Sequence, residues 1–439
     1  MGGQLYLILI TGVILFFFSG VYLIQFSQGT VTKWGVYINR IQNTSVSTLS
    51  IVDPLRDKPL NSSSALPNKL LNASVAPTSK AKKLNAYERG LLEKEQLREK
   101  FLKEWIQEQE ELRLYPGNSP KYIIFSPVVS GLGNMLATLS EAIVLSWVTH
   151  RRLRMYRYPA FLQYFDLPLT DYYLYNETLT LKGSINSGLS CRILPQKLVT
   201  APNVNIILRT TCKFVDYFTS SGMYSEFLNK HGFVINPKLR DGNDIRKMVL
   251  HFIYTRIIQT KPDILSIVEE EKEKMHWRDY YWIGIQIRTG HMPGDEGLNT
   301  FMLKDDVEMF NFYGEQQTEL AKTKTDKPIR WFIAADNQDV RSNLKKRHPE
   351  YVVTTTCQIS HSFRDVNTDK RSEGMICTLL DNYLLSNTNE LIITSRSTYG
   401  ILASYRDLTM KKILVNRGDW RKREQPSGYF VCLRITVFL

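Results

Sequence analysis

In the second half of the chain, apolar runs of strand length alternate with segments whose apolar residues recur every three or four positions. The order is YYWIGIQIR, a helix near 305–322, RWFIAAD, the helix NQDVRSNLKKRH, YVVTTT, the helix SEGMICTLLDNYLLS, ELIITS and the helix STYGILASYR. Strands and helices in turn at this spacing predict a parallel sheet covered on both faces, assigned to residues 261–424. Upstream, KYIIFSPVVSGLGN predicts a strand running into a glycine turn. NMLATLSEAIVLSWVTHRRLRM then predicts a helix with Leu136, Leu139, Ile143 and Trp147 on one face. Helical patterns follow at 243–259 and 262–275, broken at Pro262. Periodicity is weak from 156 to 242, so residues 121–260 are expected to form a smaller α/β unit without a detailed assignment.

The N-terminal pattern is different. Residues 1–32 carry no charged side chain, and Leu5 to Phe26 is an almost continuous apolar stretch of 22 residues, long enough to span a bilayer. The expectation is a four-residue tail (1–4), an uncleaved anchor helix (5–26) and a flexible stem (27–84) rich in Ser, Thr, Asn and Pro. A cleavable signal peptide normally has a basic leader and a shorter apolar core. From 85 to 114 Leu84, Tyr87, Leu91, Phe101 and Trp105 recur at helical spacing among Glu and Lys, predicting a stem helix ended by Pro116 and Gly117. Such a helix either pairs with a second copy, giving a homodimer, or lies against the following domain.

Composition changes this picture little. With 439 residues, 43% of them hydrophobic, the chain has material for two or three domains. The net charge of +13 is spread along the sequence, with no zinc knuckle, RNA-binding aromatic signature or arginine-rich arm, so no nucleic-acid partner is expected. Lys33 and Arg40 follow the apolar stretch, which by the positive-inside bias favours a cytosolic body. Glycosylation sequons at Asn43, Asn61, Asn72 and Asn176 point instead to the secretory lumen. There the five cysteines would allow two local bridges, Cys191 with Cys212 and Cys357 with Cys377.

Candidate chemistry gathers just past the strands, where ligands lie in parallel sheets. Arg288 ends an apolar run with Gln286 two residues earlier, on the same face by strand alternation. A guanidinium there can hold two phosphate oxygens, or simply form a strand-end salt bridge. In ELIITSRSTYG a strand leads into Ser395, Ser397 and Thr398 at a helix start, a place that favours an anion beyond what ordinary capping needs. SGLGN has the look of a phosphate turn without the lysine of a Walker loop. Two phosphate-directed elements and no D-x-D triplet suggest a diphosphate neutralised by protein charge, as in a nucleotide-sugar transferase working without metal.

GLGNMLATLSEAIVLSWVTHRRLRM followed by WIGIQIR, FIAADN and DNYLLSNTNELIITSRSTYG resembles the metal-independent GDP-fucose fucosyltransferases, more the plant xyloglucan α1,2 branch than the α1,6 branch. The resemblance covers residues 121–153 and about 280–406. It implies a GT-B fold of two Rossmann-like domains facing a cleft, and inverting transfer of L-fucose from GDP-fucose to a glycan or glycoprotein hydroxyl. It further implies a type II Golgi anchor and no metal or other cofactor. By position, Arg288 would bind the β-phosphate, Ser397 and Thr398 the diphosphate, and Asp381 the guanine edge. Gln286 stands where relatives have His or Gln, Asp336 would line the cleft, and Gly133 and Asn134 would approach the donor from the other domain. In the α1,6 branch an acid lies eight residues past the arginine; here that is Glu296, with Asp295 beside it, as a candidate base. His291 and His361 are alternates. Aromatics from Tyr156 to Phe165 are candidates for stacking on acceptor sugars or for core packing. The rival expectation is a catalytically silent glycan-binding or scaffold protein on the same fold. Residues 425–439 fit no part of the pattern.

Overall fold

The computed structural model describes residues 86–115, 121–126, 131–156, 159–174, 185–186, 205–208, 214–234, 242–290, 301–302, 304–357 and 372–418. It also describes the backbone of 9–10, 13–18, 21–26 and 33–38. Two compact units result, Met1–Ala81 and Lys82–Leu439.

In the first unit, β1 (Leu9–Ile10), β2 (Val13–Phe18), β3 (Val21–Phe26) and β4 (Lys33–Ile38) pair antiparallel in sequence order. The described backbone there is strand, not the spanning helix expected over 5–26. Val, Ile, Phe and Tyr dominate this stretch, and their branched and aromatic side chains favour pleated backbone. The four sequons lie outside the described residues.

The second unit opens with α1 (Ala86–Leu114), the expected stem helix. Phe101 and Trp105 are 6% and 2% exposed in the same core as the following sheet, so this stripe lies against the chain's own body rather than a second copy. Next come β5 (Tyr122–Phe125) and α2 (Leu132–Thr149). Among the described residues α2 is the one helix long and apolar enough to cross a bilayer, yet most of it is buried. A helix apolar on all sides is a core helix here. It ends at Thr149, because His150 takes a left-handed φ of 50°, and RLRMY beyond it alternates as β6 (Arg152–Tyr156) instead of prolonging the expected helix.

The weakly patterned region supplies α3 (Pro159–Tyr164), β7 (Phe165–Asp166), β8 (Tyr173–Leu174), β9 (Ile185–Asn186), β10 (Ile206–Leu208), α4 (Phe214–Ser220) and α5 (Ser225–Lys230). The first parallel sheet has the order β8-β6-β5-β10-β9. Phe161, Tyr164 and Phe165 are at most 2% exposed, and Phe161 stacks on Phe165 at 5.1 Å. They are core, not a platform for sugars.

After α6 (Gly242–Phe252), β11 (Gln259–Thr260) pairs with β7, and α7 (Pro262–Lys274) leads to the second sheet. There β12 (Tyr281–Ile287), α8 (Lys304–Lys322), β13 (Ile329–Ala335), α9 (Gln338–Arg347), β14 (Val352–Val353), α10 (Glu373–Ser386), β15 (Glu390–Thr394), α11 (Thr398–Tyr405) and β16 (Lys411–Val415) follow in turn. All its pairings are parallel, in the order β14-β13-β12-β15-β16. Ile283, Ile285 and Ile287 fill the core on one face, while Trp282 packs with Phe332 and Ile393 on the other. A sheet buried on both faces explains why its strands read as continuous apolar runs. Cys357 and Cys377 form the expected bridge, tying the chain after β14 to α10. Cys191 and Cys212 lie outside the described residues.

Candidate functional site

In a parallel sheet a crevice opens where successive connections leave to opposite sides. In the second sheet that point lies between β12 and β15, because the chain moves from β12 outward to β14 and then returns to β15 on the other side. Arg288 stands at the carboxyl end of β12 and the Ser395–Thr398 turn at that of β15. Thr394 joins them: its Oγ1 accepts from Arg288 N at 2.8 Å, and its carbonyl accepts from Ser397 N at 3.1 Å. The two expected phosphate-directed elements are therefore one structure.

The Arg288 guanidinium is partly exposed and lies 3.2 Å from the Asp336 carboxylate, with the Phe301 ring 5.6 Å away. Asp336 follows β13 and accepts from Thr289 N at 2.8 Å, Thr289 Oγ1 at 2.9 Å and Gly290 N at 2.9 Å. Both of its oxygens are engaged in fixing the backbone around Arg288. Sequence reasoning placed Asp336 in the cleft without its function as a clamp, which depends on two strands ending at the same height.

Ser397 caps α11, its hydroxyl accepting from Gly400 N at 3.5 Å. Thr398 Oγ1 donates to Asn134 Oδ1 at 2.8 Å across 264 positions of sequence. Asn134 and Gly133 lie in the first turn of α2, which follows the corresponding strand end of the first sheet. A Cβ on Gly133 would fall 2.6 Å from Tyr399 N and 2.7 Å from Thr398 Oγ1, so this contact requires glycine. The N-termini of α2 and α11 thus abut. Neither has an acidic residue in its first turn, and Gly131 offers α2 no side-chain cap. Each end carries about half a positive charge, so their juxtaposition favours an anion between or beside them.

Two expected donor contacts are placed differently. Gln286 is only 3% exposed, and its Oε1 lies 2.4 Å from where a Cβ on Gly400 would stand. It forms the floor beneath the first turn of α11, and among the described residues Oε1 has no hydrogen-bond partner. Asp381 is 4% exposed; Arg341 Nη2 donates to it at 2.7 Å and Thr355 Oγ1 at 2.7 Å. Burial pushes its carboxyl above the usual range, against the pull of Arg341 and Thr355. Its oxygens are engaged inside the protein rather than presented to a base edge. Glu296, Asp295, His291 and His361 lie outside the described residues.

No protein-family model and no curated protein matches the chain. Solved structures do. A variant of Arabidopsis thaliana FUT1 in complex with GDP is 17% identical with a TM-score of 0.49, over 77% of this chain and 81% of that one. The α-1,6-fucosyltransferase NodZ, also solved from Bradyrhizobium, is 16% identical with a TM-score of 0.42, over 68% and 95%. POFUT1 in complex with GDP is 10% identical with a TM-score of 0.36, over 68% and 99%. At such identities the chemistry must be read from this chain's own residues.

Proposed function

We propose that this chain is an inverting, metal-independent fucosyltransferase, moving L-fucose from GDP-fucose to a glycan hydroxyl, of the α1,2 type. The observation that carries the reading is the meeting of Asn134 with Thr398 beside the strand end that bears Arg288. It joins three separately expected pieces at one topological switch point.

In this reading the acceptor hydroxyl attacks C1 of fucose as the bond from C1 to the β-phosphate oxygen breaks. The electron pair leaves with GDP, and the hydroxyl proton passes to a carboxylate, for which Glu296 with Asp295 beside it is our candidate. Charge grows on the departing diphosphate, so fixed positive charge acts more strongly on the transition state than on the bound donor. Arg288 and the two helix N-termini supply it. The Ser397 hydroxyl and the Thr398 backbone amide are our candidates for contacts to the same phosphates, since the Ser397 amide already donates to Thr394 O and the Thr398 hydroxyl to Asn134.

The test is GDP-fucose turnover by the full-length chain with a panel of glycan acceptors, with and without chelator. Arg288→Ala is expected to lower turnover at least a hundredfold, about 3 kcal/mol of transition-state stabilisation, and Glu296→Gln to lower it while GDP still binds. EDTA is expected to change nothing. GDP binding without transfer to any glycan would sink the enzyme reading.

We further propose a luminal Golgi body held to the membrane by the uncharged segment 5–26, on the strength of its composition and the four sequons. Peptide N-glycosidase is expected to increase the gel mobility of the protein from secretory cells. An unshifted band, with sequon segments open to protease on sealed vesicles, would place the body in the cytosol.

A further inference from the structure

The turn that carries Ser397 contains a second guanidinium. Arg396 lies between Ser395 and Ser397, two residues past the end of β15, and its backbone takes φ 66°. An L side chain rarely occupies that left-handed region, which glycine or asparagine fills with less strain. Arg396 is also exposed, and among the described residues its side chain makes no hydrogen bond, ion pair or ring contact. Among the described residues fold stability thus gives no reason for an arginine here: the position would suit glycine better, and the guanidinium holds none of them together.

The charge balance of the mouth supplies a reason. Arg288 stands 3.2 Å from Asp336, whose carboxylate offsets part of the charge that the guanidinium brings to the crevice. A nucleoside diphosphate arrives with two to three negative charges, and its terminal phosphate gains more as the sugar leaves. The helix ends add only partial charges. Beneath them Gln286 turns an unpartnered Oε1 toward the first turn of α11, which adds no positive charge.

We infer that Arg396 is a donor-binding residue that closes over the terminal phosphate of a nucleoside diphosphate from the solvent side, opposite Arg288. This deepens the donor-site reading above and rests on it. The exposed Arg396 guanidinium is then the group that responds to ligand, while Arg288, fixed by Thr394 and Asp336, is already in place.

Isothermal titration of the full-length chain with GDP and with GMP separates the possibilities. Arg396→Ala is expected to weaken GDP binding about tenfold, the size of one lost charge-assisted contact, while changing GMP binding less than twofold. Arg396→Lys is expected to recover part of the loss. Arg396→Gly is expected to lose GDP affinity like the alanine variant while its melting temperature stays level or rises, because glycine relieves the positive φ. A residue with a merely structural function would move stability downward and GDP and GMP together. Should Arg396→Ala bind GDP as the wild type does while Arg288→Ala has lost it, the inference is wrong and the donor site stands. Should the wild type itself bind GDP no better than GMP, the donor-site reading fails and takes this inference with it.

Discussion

At the scale of single residues, the site depends on groups that never need to touch a ligand. Asp336 gathers three hydrogen bonds and an ion pair around Thr289, Gly290 and Arg288. Removing a buried acceptor leaves its donors without partners, which costs more than the net worth of the bonds themselves. Asp336→Ala is therefore expected to destabilise the chain by about 3 kcal/mol, read as a lower urea midpoint, and to lower donor affinity by releasing the backbone around Arg288. A loss under about 1 kcal/mol would mean that solvent replaces the carboxylate easily and that the clamp is not rigid. Asp381 follows the same logic, bound between Arg341 and Thr355. A carboxylate picked out by sequence position alone can prove to be support for its neighbours.

At the scale of elements, what was legible follows from which faces are buried. The second sheet is covered on both sides, so its long strands are unbroken apolar runs, and β12, β13 and β15 fall where the pattern puts them. The two-residue strands β8 and β9 contribute too few side chains to show any period, whereas the short β14 was marked by the run YVVTTT, and KKILV of β16 begins with two lysines that mask it as strand. RLRMY was absorbed into the preceding helix because nothing in its residue types announces the left-handed turn at His150. In the candidate site, the positions of Arg288, Ser397, Thr398, Gly133 and Asn134 at strand ends and helix starts were legible because such places have local signatures. The clamp by Asp336, the burial of Gln286 under Gly400 and the positive φ at Arg396 were not, since each is settled by contacts between elements or by backbone conformation. The apolar segment near the N-terminus marks the opposite limit: composition suits both a spanning helix and paired strands, and length alone selected the helix.

At the scale of the whole body, elements flanking the two sheets meet in a shared apolar core, with Met375, Leu379 and Leu402 packed into the cluster of the first sheet, and along a seam of polar contacts. Tyr164 OH accepts from Ser372 N at 2.6 Å, Tyr383 OH donates to Thr260 Oγ1 at 2.6 Å, and the His251 ring nitrogen Nδ1 meets Tyr405 O at 2.9 Å. At the far end of α11 from the site, Lys412 donates to Ser404 Oγ at 3.2 Å and lies 5.0 Å from the Tyr405 ring centroid. Lys247 donates to Leu408 O nearby, and Arg246 pairs with Asp216 at 2.6 Å. Burial, and after it the charges of Lys247 and Arg246, lower the Lys412 ammonium to about 8. The unfolded chain holds that proton up to about 10.4, so between these two values the unfolded state binds more protons than the folded one. Stability contributed at this position must then rise with pH across the window, and it is lowest below pH 8 where the ammonium is charged in both states. Lys412→Met retains the stem and removes the charge, so the variant is expected to be more stable than the wild type at pH 7. The gap should narrow steadily toward pH 10 when urea unfolding of the two is compared at matched ionic strength. A gap that is constant across pH, or a variant less stable at pH 7, would show that Lys412 is held at the seam by its bond to Ser404 and its contact with Tyr405 strongly enough to outweigh its desolvation.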